Sequence, residues 1–420
     1  MRSLTLSRRQ PKQLGMTLIE VMISMSLGLI ILAGLGYSYL AARNTYREQD
    51  ALARMQEGAR LAFDVLSKDI HMAGFTGCSA ALSPANNPTG TATADWYQYF
   101  DNNTNTSKLT GTYFLSGYEN HQEATIAFNS ATNYLSTFPA DATYKNNVAG
   151  VTGFVSQGDV LLVKHVDPSQ QYIVSTGAPA NPLVLNVAPN NFTKGQTLIG
   201  ANCYSGAGGI EIFTDSCNPC TGNQLAYTST NALATTLANS VVYPLSANAY
   251  FICRPSSDPT QTWTTPTGYA CTNTTDPALY RVSLSATGTL STQELVEGVQ
   301  DMQISYALDT DGDLIPNCYV VASDISKPFT AAFTRNNVTC PAPTVTGGIT
   351  WNNVLGVRIS LLMVSRSTET GITTEEQVYK LDINGDGYIN PAGSSLLETV
   401  TPTDNLLRKV FTTTVMMKNY

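Results

Sequence analysis

The stretch Gln13-Leu14-Gly15-Met16-Thr17-Leu18-Ile19-Glu20, followed by the uncharged run Val21–Ala42, decides how the rest of the chain is read. Arg2, Arg8, Arg9 and Lys12 precede it without an acid among them. The run itself is 22 residues long, which as a helix is about 33 Å, enough to cross a bilayer core. Basic residues cluster ahead of the run, so the positive-inside rule leaves the N-terminus cytoplasmic and sends everything beyond Ala42 outward. A secretory signal would share this pattern but end in a small-x-small cleavage site, and Tyr39-Leu40-Ala41 is a poor match. Nor would such a signal place Glu20 at the head of the apolar segment, where an unpaired carboxylate costs about 2.5 kcal/mol or more if it sits deep. That carboxylate calls for a partner.

Gly15 followed by Met16-Thr17-Leu18-Ile19-Glu20 and a long apolar helix resembles the class III leader of type IV pilins and pseudopilins. The resemblance implies that a prepilin peptidase cuts between Gly15 and Met16 and that the new amine is methylated. It further implies that Glu20 faces the amine of Met16 of a neighbouring subunit in an assembled fibre. Two departures stand out: Met16 occupies a position where phenylalanine is commonest, and no proline interrupts the helix.

Beyond Ala42, Leu52, Met55, Ala59, Ala62, Phe63, Leu66 and Ile70 recur at steps of three and four, with Arg54, Glu57, Arg60, Asp64, Lys68 and Asp69 between them. This is one amphipathic face. The division predicted is a leader over 1–15, a helix over 16–74 and a β-rich head over 75–420. The helix is membrane-spanning over 16–42, amphipathic over 43–74 and ends near Gly74. His71, in its last turn, reads as a helix-end cation.

In the head, strand signals come in short runs separated by Gly, Pro and Asn clusters: Ala124–Phe128, Asp159–Val166, Tyr172–Ser175, Leu183–Val187, Thr197–Ile199 and Gly209–Phe213. These predict an antiparallel meander. Val160-Leu161-Leu162-Val163 lacks polar alternation, so that strand is expected to be covered on both faces. Leu279–Leu284, Met302–Leu308, Tyr319–Ala322, Leu355–Val364 and Lys409–Met417 form a second set, with a soft boundary between two lobes in 220–250. Ser79–Asn120 and Asp215–Ala238 read as long polar loops. The predicted class is α+β: a pilin-like long N-terminal helix packed on a large antiparallel β-rich head.

The phrases Glu294–Gln303, Asp309–Asp313, Trp351 before Val357–Leu362, and Arg408–Val415 are similar to the PilW family of minor pilins. That resemblance implies a protein that joins other minor pilins and the major pilin and primes pilus assembly at or near the fibre tip. The resemblance leaves a tip adhesin open as a further partner of such a head. It also implies an inner-membrane protein with a periplasmic head that later becomes part of an extracellular pilus. A pseudopilin of a type II secretion system, and a membrane-anchored binding protein or enzyme outside any fibre, are the alternatives.

Two loops have the spacing of cation ligands. Asp382, Asn384, Asp386, the Tyr388 carbonyl and Asn390 take positions 1, 3, 5, 7 and 9 of a calcium loop, with Gly387 at position 6. A hard cation needs six or seven oxygens, which alternate residues of a tight loop can aim inward. Position 12 is Gly393 in place of the usual glutamate, which predicts a weaker site; a plain Asx-rich turn is the alternative. Asp309, Asp311 and Asp313 repeat the first three ligand positions, either for Ca2+ or as a solvated hairpin turn.

Eight cysteines outside the apolar run fit an oxidising compartment. Closeness in sequence favours Cys217–Cys220, Cys253–Cys271 and Cys318–Cys340, leaving Cys78 with Cys203. Apolar content of 43% against 13% charged residues describes a chain that folds. The net charge of −8 disfavours a nucleic acid partner. There is no GxSxG, HExxH or phosphate-binding glycine loop, and histidines number 3, so no catalytic function is assigned.

Overall fold

Residues 16–75, 77, 114–118, 159–175, 183–186, 192, 197–201, 210–215, 224–225, 227–228, 240–253, 276–284, 290–326, 329–335, 338–345, 348–366, 379–380, 399–400 and 406–418 are described by the computed structural model of the chain. A single helix, α1 (Leu18–Met72), opens it. The chain divides into two compact units, residues 1–52 and 53–420.

Along the apolar run of the first unit the helix is open: Leu29, Ile30, Ile31, Leu32 and Leu35 are 62–68% exposed. Two serine hydroxyls in the run turn back onto the helix. Ser24 Oγ donates to the Glu20 carbonyl at 2.7 Å, and Ser26 Oγ to the Ile23 carbonyl at 2.9 Å. Such back-bonding lets serine sit in an apolar medium without an unsatisfied donor.

In the second unit, the stretch from Ala53 onward turns one face inward. Met55, Ala59, Ala62, Leu66, Ile70 and Ala73 are each at most 3% exposed, and this is the stripe predicted from the three-four spacing. At Gly58 the helix comes close to the sheets, since a Cβ there would meet Met363 Cε at 3.0 Å and Val296 Cγ1 at 3.4 Å. Gly74, at φ 76°, ends the helix with the left-handed turn that favours glycine. Asp69 is a correction to the sequence reading. It does not belong to the polar face but is buried at 8% exposure, since it follows Ala62 by seven residues and shares its side of the helix.

The described strands are β1 (Leu115–Tyr118), β2 (Val160–Val166), β3 (Tyr172–Ile173), β4 (Leu183–Val184), β5 (Thr197–Ala201), β6 (Ile210–Asp215), β7 (Gln224–Leu225), β8 (Tyr227–Thr228) and β9 (Val241–Cys253). There follow β10 (Ala278–Leu284), β11 (Leu290–Glu297), β12 (Val299–Leu308), β13 (Cys318–Val320), a short helix α2 (Ala322–Ser326), β14 (Phe333–Arg335) and β15 (Val338–Cys340). The last are β16 (Val354–Val364), β17 (Tyr379–Lys380), β18 (Thr399–Val400) and β19 (Arg408–Met416). Ala124–Phe128 lies outside the described residues.

The pairing is antiparallel throughout, but the first sheet is not a meander. Its order is β1-β2-β9-β5-β6-β8, with β3 and β10 also on β9 and β11 on β10. The long strand β9 is its organiser. Val241–Pro244 pair with β5, Leu245–Tyr250 with β2, and Asn248–Cys253 with β10. Pro244, which has no N–H to give to a ladder, stands where β9 passes from β5 to β2. All seven residues of β2 are buried, in line with its unbroken apolar start.

A single residue joins the two sheets. Gly298, at φ 82°, lies between β11 and β12, and a Cβ there would sit 2.9 Å from the Val364 carbonyl oxygen. Only glycine meets both conditions without strain. The second sheet, β13-β12-β16-β19, then runs with β16 between β12 and β19. The segment Tyr319–Ala322, predicted as strand, divides: β13 ends at Val320 and Ala322 starts α2. Asp159 ties the two sheets together, since its N–H donates to the Met302 carbonyl at 2.7 Å and its Oδ2 accepts from the Ile304 N–H at 2.6 Å.

Candidate functional site

The N-terminal site is positioned by α1. The Thr17 carbonyl accepts from the Glu20 N–H at 3.1 Å and the Val21 N–H at 3.2 Å, so Glu20 stands in the first turn of the helix. An acid there is favoured by the helix dipole. Met16 is 68% exposed at the head of this turn; Gly15 lies outside the described residues. The helix is long and apolar enough to cross a membrane by length and composition.

The second site is the loop between β12 and β13. Asp309, Asp311 and Asp313 each bring a carboxylate oxygen within 4.8 Å of the others. The loop is closed by its own acids. Asp309 Oδ1 accepts from the Asp311 N–H at 3.0 Å and the Gly312 N–H at 2.7 Å, and its Oδ2 accepts from the Leu314 N–H at 3.0 Å. Burial works to raise the Asp309 pKa, but the three backbone donors outweigh it and hold this carboxyl below its ordinary range. Gly312 and Leu314 both have positive φ, 86° and 64°. Asn317 braces the far side, its Oδ1 accepting from the Thr310 N–H at 2.6 Å and its Nδ2 donating to Asp311 Oδ2 at 3.3 Å.

Next to this loop, Cys318 of β13 and Cys340 of β15 form a disulfide with Cα atoms 5.3 Å apart. It pins the β14–β15 hairpin to the edge of the second sheet. Cys78, Cys203, Cys217, Cys220, Cys253 and Cys271 lie outside the residues whose side chains are described. So do Asp382, Asn384, Asp386, Tyr388 and Asn390, although the strands on either side of that loop, β17 and β18, pair with one another.

The sequence reading did not single out a buried polar cluster at the end of α1. Asp69 Oδ2 accepts from the Tyr250 hydroxyl and, at 2.6 Å, from Asn248 Nδ2, while Oδ1 lies 3.7 Å from His165 Nε2. The seven-residue step from Ala62 was the signal that could have revealed Asp69. His71, by contrast, sits near the surface and its Nδ1 is 2.8 Å from the Met416 carbonyl oxygen.

Two stretches of the chain match known families. Residues 10–36 match the prokaryotic N-terminal methylation motif. The motif implies processing by prepilin peptidase, and with the apolar helix that follows it points to anchoring in the inner membrane and association with a pilus. Residues 267–419, which hold the second sheet, match the type IV pilus-assembly protein W family. That match covers the phrases around Gly298, Trp351 and Arg408 and about a third of the chain. Among solved structures, a type IV-like pilin from Thermus thermophilus is similar at 13% identity and a TM-score of 0.20, over 54% of this chain and 86% of that one. A search of curated proteins found no match.

Proposed function

We propose that the chain is a minor pilin that primes type IV pilus assembly with other minor pilins and stays at or near the fibre tip. The observation that carries this reading is the pairing of a methylation motif with an exposed apolar run of helix, ahead of a region that matches the PilW family. Apolar side chains at 62–68% exposure are stable only in lipid or among other helices. Cleavage between Gly15 and Met16 frees an amine, and Glu20 of the incoming subunit neutralises it, which sets the axial register. The cost of two unpaired charges in an apolar medium drives this pairing. The first 42 residues then supply leader and fibre core, residues 43–74 link them to the head, and residues 75–420 present a surface to other minor pilins, the major pilin or a tip adhesin. The role is structural and adhesive, not catalytic.

Ca2+ at Asp309, Asp311 and Asp313 belongs to the same reading. Three carboxylates supply six oxygens of the kind this cation takes. Both Asp309 oxygens are already engaged by backbone N–H groups, so binding is weak, in the range of about 10⁻⁴–10⁻³ M found for extracellular modules. The loop Asp382–Asn390 is proposed as a second such site on its sequence alone.

Mass spectrometry of the mature N-terminus and immunodetection in sheared fibres test the main reading. A methylated Met16 and loss of fibre incorporation on Glu20→Ala are expected. An N-terminus at Met1 or near Ala42, or normal piliation without the protein, would overturn it.

A further inference from the structure

The Asp69 cluster binds the last turn of α1 to the middle of the first sheet. Its members come from three elements: Asp69 from α1, His165 from β2, Asn248 and Tyr250 from β9. His165 is the informative member. Its Nδ1 lies 2.8 Å from the Val166 carbonyl oxygen, which has no proton to offer, so Nδ1 carries the proton of that bond. A neutral imidazole would then leave Nε2 bare, with its lone pair aimed at a carboxylate. Nε2 is buried without a hydrogen-bond partner, and its closest charged neighbour is Asp69 Oδ1 at 3.7 Å. Side-chain exposures of 7% and 11% for His165 and Asp69 leave little room for water to mediate. A second proton on Nε2 turns the repulsive contact into an ion pair.

We propose that His165 and Asp69 form a pH-sensitive clasp between helix and head, closed while the imidazole carries both protons and weakened when it loses one. The other titratable or charged groups around it are Asp167, which follows β2 and adds negative charge near His165; Tyr250, bonded to Asp69; and Arg281 of β10, beside Tyr250. Lys164 is the neighbour of His165 on β2 and projects from the opposite face of that strand.

Burial alone would depress the His165 pKa, but Asp69, the Val166 carbonyl and Asp167 outweigh it and raise it above the ordinary imidazole value. For Asp69, burial pushes upward and is outweighed by His165, Tyr250 and Asn248, so its pKa is lowered. The signs follow by linkage. The His165 contribution is complete below about pH 6.5, the unfolded value, and is lost as pH rises through the folded value. The Asp69 contribution is complete above about pH 4 and is lost as pH falls through its own. Between these limits the helix end is held most firmly.

The test uses the full chain in detergent micelles, with ¹³C-labelled histidine followed by NMR from pH 5 to 9 and thermal unfolding recorded over the same range. His165→Gln assigns the resonance and serves as the melting control. The expected result is a His165 midpoint above about 6.5 and a melting temperature that falls on the alkaline side in the native chain but not in His165→Gln. A midpoint at or below that value overturns the proposal, as does an equal alkaline fall in the variant. If His165→Gln does not fold, Asp69→Asn supplies the assignment by shifting the midpoint down, and the native midpoint decides alone.

Discussion

Gly117 of β1 faces Tyr306 of β12 where the two sheets meet, and replacing it with alanine tests that packing directly. A Cβ on Gly117 would lie 1.8 Å from Tyr306 Oη, 2.8 Å from its Cζ and 3.0 Å from the Val160 carbonyl oxygen. To restore an ordinary contact near 3.4 Å, the hydroxyl must retreat by about 1.6 Å. The ring has little freedom to do so, since Tyr306 is fully buried and packs edge-on against Trp351 with centroids 4.9 Å apart. Overpacking of this kind costs about 1–3 kcal/mol, and more where the neighbour is pinned. Gly117→Ala is therefore expected to destabilise by at least about 2 kcal/mol. At about 2–4 °C per kcal/mol for large domains, the melting temperature drops by several degrees. The control is Tyr306→Phe in the Gly117→Ala background. Removing Oη relieves the 1.8 Å contact, so the two changes together should cost less than the sum of each alone. Thermal unfolding of the four proteins in detergent measures this. A Gly117→Ala cost below about 0.5 kcal/mol, or strict additivity with Tyr306→Phe, would refute the packing argument.

Three further outcomes are expected. Serine at both Cys318 and Cys340, which are 22 residues apart in sequence, should cost about 3 kcal/mol; reductant should lower the melting temperature of the native chain and leave the double variant's response smaller. The lowered pKa of Asp309 means that its stabilising contribution is present above about pH 4 and is lost as pH falls through the folded value. Asp309→Asn should flatten that part of the acid melting profile, and an unchanged acid limb would count against the three-donor arrangement. Titration calorimetry of the full chain with Ca2+ should give a weak heat that Asp311→Ala with Asp313→Ala reduces, these two being the exposed members of the triad; equal heats would remove the site.

The sequence made some of this plain and hid the rest for physical reasons. Regular burial leaves a regular trace, so the stripe from Met55 to Ile70 and the apolar run of β16 were legible. Strand β9 was not, although it organises the first sheet. It carries Pro244, Ser246 and Asn248, residues that weaken a strand signal, yet Pro244 stands at a change of partner and Asn248 spends its amide on Asp69. The meander failed for the same reason, because β9 inserts itself between β2 and β5. Asp69 was sorted by its charge to the wrong side of the helix. Its burial depends on a histidine, a tyrosine and an asparagine from distant strands, and no local pattern announces them. In the acidic loop the residue types were legible, but the backbone bonds that occupy Asp309 were visible only in three dimensions.

The contact between His71 and Met416 spans 345 residues of sequence. Its consequence concerns time. The helix that bears His71 emerges early in synthesis, whereas the strand that carries Met416 follows hundreds of residues later. Contacts of such range close slowly, and until β19 is delivered β16 keeps an open edge and the helix end lacks this neighbour. A chain of this design carries its helix long before the strand that meets it, and its unfinished edge stays open to neighbours in the meantime.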